Sequence, residues 1–304
     1  MIETSFKDQS SCILCGSYDR CIDGELTRIV QPWPTRKIVR CKGCSLEFLH
    51  PMPSQKELYE FYVSDEFIKS YEKCAQQYVI GNDAPESYVF DRIQQIELAL
   101  DGRKGSILDM GAARGAFLSA ARSNGWCISG IELGSEAVQA AKSIHGIDLL
   151  QCDLESAQFP AESFDAVHMS HVLEHLLNPL ETLRLIFSIL KPGGVVFIEV
   201  PSEIRDLFST IATITLRCPR PAYLVPAPHI FFFLPQTLRR MLRQAGFHMI
   251  HLSTPRRNKD FASAIPFGRI AKSVLYPIEQ LFRLGPLIVA IGRKQSNGAP
   301  NLAQ

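Results

Sequence analysis

From Gly105 onward, short apolar runs alternate with amphipathic stretches of helical period. SILDM reads as a buried strand, ARGAFLSAARSNG as a helix, WCISGIE as a strand, and SEAVQAAKSIHG as a helix ended by Gly146. IDLLQC and SFDAVHM read as two further strands. NPLETLRLIFSIL is an amphipathic helix stopped by Lys191-Pro192-Gly193-Gly194, and VVFIEV is the strand after it. Pro235 opens the helix PQTLRRMLRQAG, FHMIHL follows as a strand, and GPLIVAIGRK is the last strand. Strands separated by helices of this length predict a parallel sheet covered on both faces.

The flanks follow other patterns. Residues 1–53 carry paired cysteines and short β-prone runs, which predicts a small module closed by Pro51-Met52-Pro53. In the next stretch, 54–104, a helical linker and cap is expected. Ser54 and Glu57 form a capping box ahead of SQKELYEFY, and a second helix over Glu86 to Leu100 puts Val89, Ile93, Ile96 and Leu100 on one face. The α/β domain then covers 105–295, with insertions on the substrate side at 203–234 and 255–284 and a disordered tail at 296–304.

Composition narrows the class. Across 304 residues, 32 Lys and Arg oppose 31 Asp and Glu, so the net charge is +1. That balance gives no support for a nucleic-acid partner, which favours a basic field. No run of about 18 apolar residues is present, so no transmembrane segment is expected. MIETSFKDQS reads as a polar start rather than a secretory signal, and a cytoplasmic enzyme is expected.

Three successive strand ends carry acids. The turn after SILDM holds Asp109, Gly111 and Gly115, and the amides of the helix start can bind an anionic group. Glu132 ends the next strand, where an acid can accept hydrogen bonds from both hydroxyls of a ribose. Asp153 follows the third strand, with Leu154 beside it. Each acid alone reads as a loop charge or a helix cap. Together they point to a nucleoside-bearing ligand at the carboxyl ends of the strands.

Cys12-x-x-Cys15 and Cys41-x-x-Cys44 are two CxxC knuckles separated by 25 residues. Four thiolates on two tight turns fit tetrahedral zinc, with Gly16 and Gly43 suiting the knuckles. A closed site of this kind is structural. Cys21 reads as a bystander, and Cys74, Cys127, Cys152 and Cys218 read as core or loop residues.

ILDMGAARGAFL, the acid in SGIELG, QCDLES, FDAVHMSHVLEHLLNP and LKPGGVVFIEVPS occur in order and at suitable spacing. With HIFFFLPQTLRRMLRQAGF, they make residues 86–295 resemble a class I S-adenosylmethionine-dependent methyltransferase of the ubiquinone-biosynthesis-like branch. The resemblance implies a Rossmann-like α/β fold: a seven-stranded sheet with its last strand antiparallel and helices on both faces. It implies that Asp109, Gly111 and Gly115 hold the methionine part of S-adenosylmethionine, that Glu132 binds its ribose, and that Asp153 with Leu154 flanks its adenine. Ala113 departs from the pattern, standing where the motif has its middle glycine. VRCKGCSLEFLHPMPSQKELYEFY resembles the N-terminal zinc ribbon that precedes some methyltransferases of sugar and natural-product pathways.

Transfer of a methyl group to an alcohol needs alignment of the acceptor and a base for its proton. His229 and His175 are the base candidates, with Glu174 orienting one of them; a structural role for histidine in VLEH is the alternative. Some relatives bind a divalent metal through two acids and a histidine in this segment, and His171, Glu174 and His175 are the corresponding residues here. Tyr223, Phe231, Phe232 and Phe233 read as a lid over the substrate or as an apolar loop on the core. Arg256, Arg257 and Lys259 read as a solvated face, or as a contact for a nucleotide-linked sugar or a membrane surface (a weak peripheral contact). The expected reaction is O- or C-methylation of a small-molecule acceptor, a sugar or polysaccharide precursor. The alternatives are a quinone or phenol acceptor, or a non-catalytic scaffold with a vestigial Rossmann domain. Chelation of the zinc is expected to loosen residues 1–53, seen as a lower melting temperature. Unchanged melting and activity after verified metal removal would count against that role.

Overall fold

The computed structural model describes residues 11–22, 33, 36–62, 64, 85–202, 229–255, 281, 285 and 287–295. Most of both expected insertions, the tail from 296, and Cys74, Cys218, Tyr223, Arg256, Arg257 and Lys259 lie outside the described residues.

The N-terminal part holds β1 (Arg20–Ile22), β2 (Lys37–Cys41), β3 (Glu47–His50) and α1 (Gln55–Tyr62). The Ser54–Glu57 box forms as read: the Ser54 amide donates to Glu57 Oε2 at 2.8 Å, and the Glu57 amide donates to Ser54 Oγ at 3.2 Å. Then come α2 (Pro85–Ala99), β4 (Ser106–Met110), α3 (Ala116–Ser123), β5 (Cys127–Ile131), α4 (Ser135–His145), α5 (Leu154–Ala157) and β6 (Phe164–Ser170). A short 3-10 turn (Leu173–His175) leads to α6 (Pro179–Ile189) and β7 (Leu190–Pro201). The chain is described again from β8 (Phe231–Phe232) through α7 (Pro235–Gln244), β9 (His248–Ser253) and β10 (Leu287–Arg293).

The main sheet runs β5-β4-β6-β7-β10-β9. The first four strands are mutually parallel, and β10 is antiparallel to both neighbours. Among the described residues this sheet has six strands, where seven were expected. IDLLQC makes only a parallel bridge, Leu150 with Ile131, beyond the β5 edge. The edge position bonds on one side only, and Asp153 caps α5 right behind it, so the run ends before a ladder builds.

Period-two alternation sends side chains to two layers. Ile107, Ala166, Val195, Phe197, Val289 and Ile291 pack with Ile93, Ile96, Phe117 and Leu118 of α2 and α3. Leu108, Val167, Val196, Ile198, Ile288 and Ala290 pack with Leu183 and Ile186 of α6 and Leu238 and Met241 of α7. Cys12, Leu14, Val39, Cys41, Leu46 and Phe48 join this second layer, so the cysteine-bearing part shares the domain's core.

The aromatic run differs from the lid expectation. Phe231 and Phe232 form β8, the fourth strand of a sheet ordered β1-β2-β3-β8. Phe231 and Phe233 enter the shared core, and Phe232 packs with Ile38, Leu49 and Trp33 on the opposite face. All three rings are buried, which stabilises the fold by about 1.5–3 kcal/mol for each relative to exposure.

Gly130 in β5 packs directly against Leu118 of α3. A Cβ there would lie 2.5 Å from Leu118 Cδ1, 2.6 Å from Leu149 Cδ2 and 3.2 Å from Ala112 Cβ. Gly130→Val is therefore expected to cost about 1–3 kcal/mol by overpacking. A lowered urea midpoint with unchanged slope checks this.

Candidate functional site

Parallel pairing places the carboxyl ends of β4, β5, β6 and β7 along one edge, and the expected site residues lie there. The turn after β4 takes a left-handed backbone at Gly111 (φ 73°), Ala113 (φ 47°) and Gly115 (φ 80°). A Cβ at Gly111 would stand 2.6 Å from Val172 Cγ2, so only glycine fits there. Ala113 takes a left-handed conformation that favours glycine. That costs an alanine about 1–2 kcal/mol, and its amide is anchored by a 2.9 Å hydrogen bond to Glu132 Oε2.

Glu132 Oε1 accepts from the Gly134 amide at 2.9 Å, so its carboxylate sits directly over the glycine turn. Asp153 caps α5, its Oδ1 accepting from the Ser156 amide at 2.8 Å, and Leu154 is buried behind it. Asp109 lies deeper. It is buried, and its Oδ1 is 2.6 Å from His168 Nδ1. The His168 ring is stacked on Phe117 at 3.7 Å between centroids. Burial lowers the His168 pKa despite the neighbouring carboxylate, so the ring is a neutral donor that holds Asp109 beneath the turn.

The second half of the site is built around Glu174. His171 follows β6 in a left-handed conformation (φ 55°), which turns the chain into the 3-10 segment carrying Glu174 and His175. Glu174 is 1% exposed, and both carboxylate oxygens lack a hydrogen-bond partner among the described residues. Three imidazoles surround it at ion-pair distance. Oε1 lies 3.4 Å from His171 Nδ1, 3.8 Å from His175 Nε2 and 3.9 Å from His229 Nε2. The donor atoms of Glu174, His175 and His229 all lie within 4.8 Å of one another; His171 stands outside that group. The structure thus brings together the three residues read as base candidates and orienting acid.

Burial would raise the Glu174 carboxyl, but the His171 contact and the three imidazole charges outweigh it and hold it at about 2. Burial would lower His171, yet Glu174 and Glu199 hold it up at about 9. Its side chain keeps 47% of its surface, so the two carboxylates govern its charge more than burial does. His229 is pushed down to about 3, by burial first and then by His175, and is neutral at pH 7.

Several residues here escaped the sequence reading. Glu199, near the end of β7, is buried, lies 3.6 Å from His171 Nε2, and accepts from Arg92 Nη2 at 2.6 Å and Ser170 Oγ at 3.2 Å. Its signal was a lone acid inside the apolar run VVFIEV. Tyr62, at the end of α1, packs edge-on against His175 at 6.5 Å. Its phenol pKa is raised, by burial first and then by the charges of Glu174 and Glu132. No local pattern marked it.

The four thiols also converge. Cys12 Sγ is 3.6 Å from Cys44 Sγ, Cys15 Sγ is 3.4 Å from Cys41 Sγ, and all four lie within 4.8 Å of one another. Tetrahedral Zn–S bonds of about 2.3 Å imply S···S separations of about 3.8 Å, so the set fits zinc. Gly16 (φ 72°) and Ser45 (φ 65°) turn left-handed after each knuckle. Gly43 instead matters for space: a Cβ there would sit 3.2 Å from Cys15 Sγ.

Residues 84–252 match the family model described as a methyltransferase domain, and the chain belongs to that family. It has the fold of a class I S-adenosylmethionine-dependent methyltransferase. It is 28% identical over 172 residues to the ubiquinone biosynthesis O-methyltransferase of Xanthomonas axonopodis pv. citri, covering 53% of this chain and 70% of that one. Among solved structures it is similar to an S-adenosylmethionine-dependent methyltransferase from Archaeoglobus fulgidus (TM-score 0.54, 19% identity, 74% of this chain and 99% of that one). It is also similar to the 1,6-didemethyltoxoflavin-N1-methyltransferase of Burkholderia thailandensis (TM-score 0.55, 17% identity, 86% and 96%). No described helix is long and apolar enough to cross a membrane.

The charge states set a pH dependence. His171 is raised, so its stabilisation is complete below about 6.5 and is lost as pH rises through about 9. Glu174 is lowered, so its contribution is complete above about 4.5 and is lost as pH falls through about 2. His229 is lowered, so the neutral ring favours the fold above about 6.5, and this is lost as pH falls through about 3. His171→Ala is expected to flatten the alkaline limb between pH 6.5 and 9 in urea titrations. An unchanged alkaline slope would refute that assignment.

Proposed function

We propose that this methyltransferase transfers a methyl group from S-adenosylmethionine to a hydroxyl of a small-molecule acceptor, and that the thiolate module holds structural zinc. One observation carries the reaction. The orphaned, buried carboxylate of Glu174, with His175 and His229 against it, faces the same strand edge as Glu132 and the glycine turn.

The residues divide the work. The open αL turn at Gly111 and Gly115 admits the amino-acid end of the cofactor, and Asp109, fixed by His168, supplies negative charge below it. Glu132 exchanges its backbone hydrogen bonds for the ribose hydroxyls, and Asp153 with Leu154 flanks the adenine. The bound donor supplies an already activated methyl group. The acceptor hydroxyl is deprotonated by His229 or His175, and the Glu174 anion stabilises whichever imidazolium forms. His229 is neutral at pH 7 and free to take a proton, although burial makes it a weak base until that anion assists.

A sugar or polysaccharide precursor, including a nucleotide-linked sugar, is the first acceptor reading. It is supported by the likeness of the N-terminal module. A quinone or phenol is the second, favoured by the relative that is a ubiquinone O-methyltransferase and by the rings of Tyr62 and Phe232 beside the histidines.

Calorimetry with S-adenosylhomocysteine tests the foundation. Glu132→Ala is expected to weaken binding at least tenfold, since hydrogen bonds to a charged group contribute about 1.5–3 kcal/mol each. No heat of binding to the unsubstituted chain would end the proposal. A panel of nucleotide sugars and catechols, scored for methylated product by mass spectrometry, decides between the acceptors.

A further inference from the structure

β8 belongs to two structures at once. Phe231 pairs with Phe48 and Phe232 with Glu47 of β3, and the Leu49 amide donates to the Ile230 carbonyl at 2.9 Å. The Ile230 amide donates in turn to the Glu174 carbonyl at 2.8 Å. Ile230 therefore bonds with its carbonyl to the cysteine-bearing sheet and with its amide to the segment holding the buried carboxylate. His229 is the next residue back, and its Nε2 faces Glu174 Oε1 at 3.9 Å.

The thiolates sit at the other end of this chain of contacts. The Cys41–Cys44 knuckle is the turn that joins β2 to β3. The Ser45 amide donates to the Cys41 carbonyl at 2.8 Å, and the Cys41 amide donates to the Leu46 carbonyl at 2.9 Å. Cys12, Cys41, Leu46 and Phe48 share one apolar cluster with Ile230, Phe231 and Phe233. The Phe48 and Phe231 rings are 6.3 Å apart.

We infer that the four-thiolate site is the positioning device for His229: metal bound there rigidifies the β2–β3 turn, β3 holds β8, and β8 sets the imidazole against Glu174. The inference rests on the zinc reading above. It goes further by making the N-terminal module part of the acceptor half of the site rather than an appended fold. The magnitudes support a coupling of this kind. The β3–β8 pairing is only two residues long and each hydrogen bond contributes about 1 kcal/mol net, so the pairing depends on how rigid β3 is. Phe233 keeps a separate bridge to Ser202, so loss of metal loosens His229 without unfolding β7. A displacement of about 1 Å at a reacting group is enough to cost about a hundredfold in rate.

The test uses the full zinc-loaded chain with ¹⁵N-labelled histidine, before and after chelation, with metal content measured. His229→Gln assigns the His229 imidazole resonance by its loss. Metal removal is expected to speed amide exchange at Leu49 and Ile230 at least tenfold and to shift that resonance. The affinity for S-adenosylhomocysteine is expected to stay within twofold. Unchanged exchange and an unchanged resonance in verified metal-free protein would overturn the coupling while leaving the zinc site intact. A chain that neither contains zinc nor takes it up overturns the zinc reading and the coupling with it, and metal analysis tells the two failures apart. If the metal-free chain unfolds, the reverse measurement decides, because coupling is reciprocal. Zinc release to a chromophoric chelator is expected to be at least fivefold faster in Phe231→Ala than in the exposed-site control Leu98→Ala. Equal rates overturn the inference.

Discussion

Parallel pairing is the constraint on which the rest of the molecule depends. In a parallel ladder every strand runs the same way, so β4, β5, β6 and β7 must all release their chains at one edge. Each returning segment is a helix on one face or the other, and that edge is left open. The glycine turn, Glu132, the His171–Glu174 segment and Glu199 come from four different strand ends. They meet because the ladder brings them there. Successive side chains of β4, β6 and β7 are buried on alternate faces, so a slip of one residue would exchange the two apolar layers.

The electrostatics of the edge follow from what is buried at it. Glu174 and Glu199 are both almost wholly enclosed, and an enclosed carboxylate persists only with compensating positive charge. Arg92 supplies it to Glu199, and His171 lies between the two acids. Among the described residues Glu174 accepts no hydrogen bond, and it keeps its charge chiefly beside the raised imidazole of His171. The Asp109–His168 pair follows the opposite logic. There one carboxylate oxygen is bonded to a buried neutral ring, which fixes the side chain beneath the turn.

The cysteine-bearing segment changes how the chain divides. Its sheet is completed by β8, a strand that comes from beyond β7, and its apolar side chains sit in the same layer as α6 and α7. A module that borrows a strand from its neighbour cannot move independently of it. That is why a contact made near residue 45 bears on an imidazole at residue 229.

The period of the apolar pattern, the glycines at the first turn, the acids at the strand ends and the paired CxxC knuckles were all legible in the chain. Each is a local signal, set by backbone geometry within a few residues. Ser54 with Glu57 is the plainest example, because both partners of that cap lie within one turn. IDLLQC, read as a strand, forms only a single bridge at the β5 edge, because a sheet edge rewards a strand only where a neighbour and a suitable exit exist, and neither is written in that run. The aromatic run read equally well as lid or core, and only the meeting of β3 with β8 chose between them. Arg92 on Glu199, Tyr62 beside His175 and His168 beneath Asp109 are likewise partnerships across long stretches of chain. Local sequence determined which elements form and which polar and glycine residues stand at the strand ends. The tertiary structure decided which of those residues face one another, because burial and charge compensation depend on neighbours that the chain supplies only after it has folded.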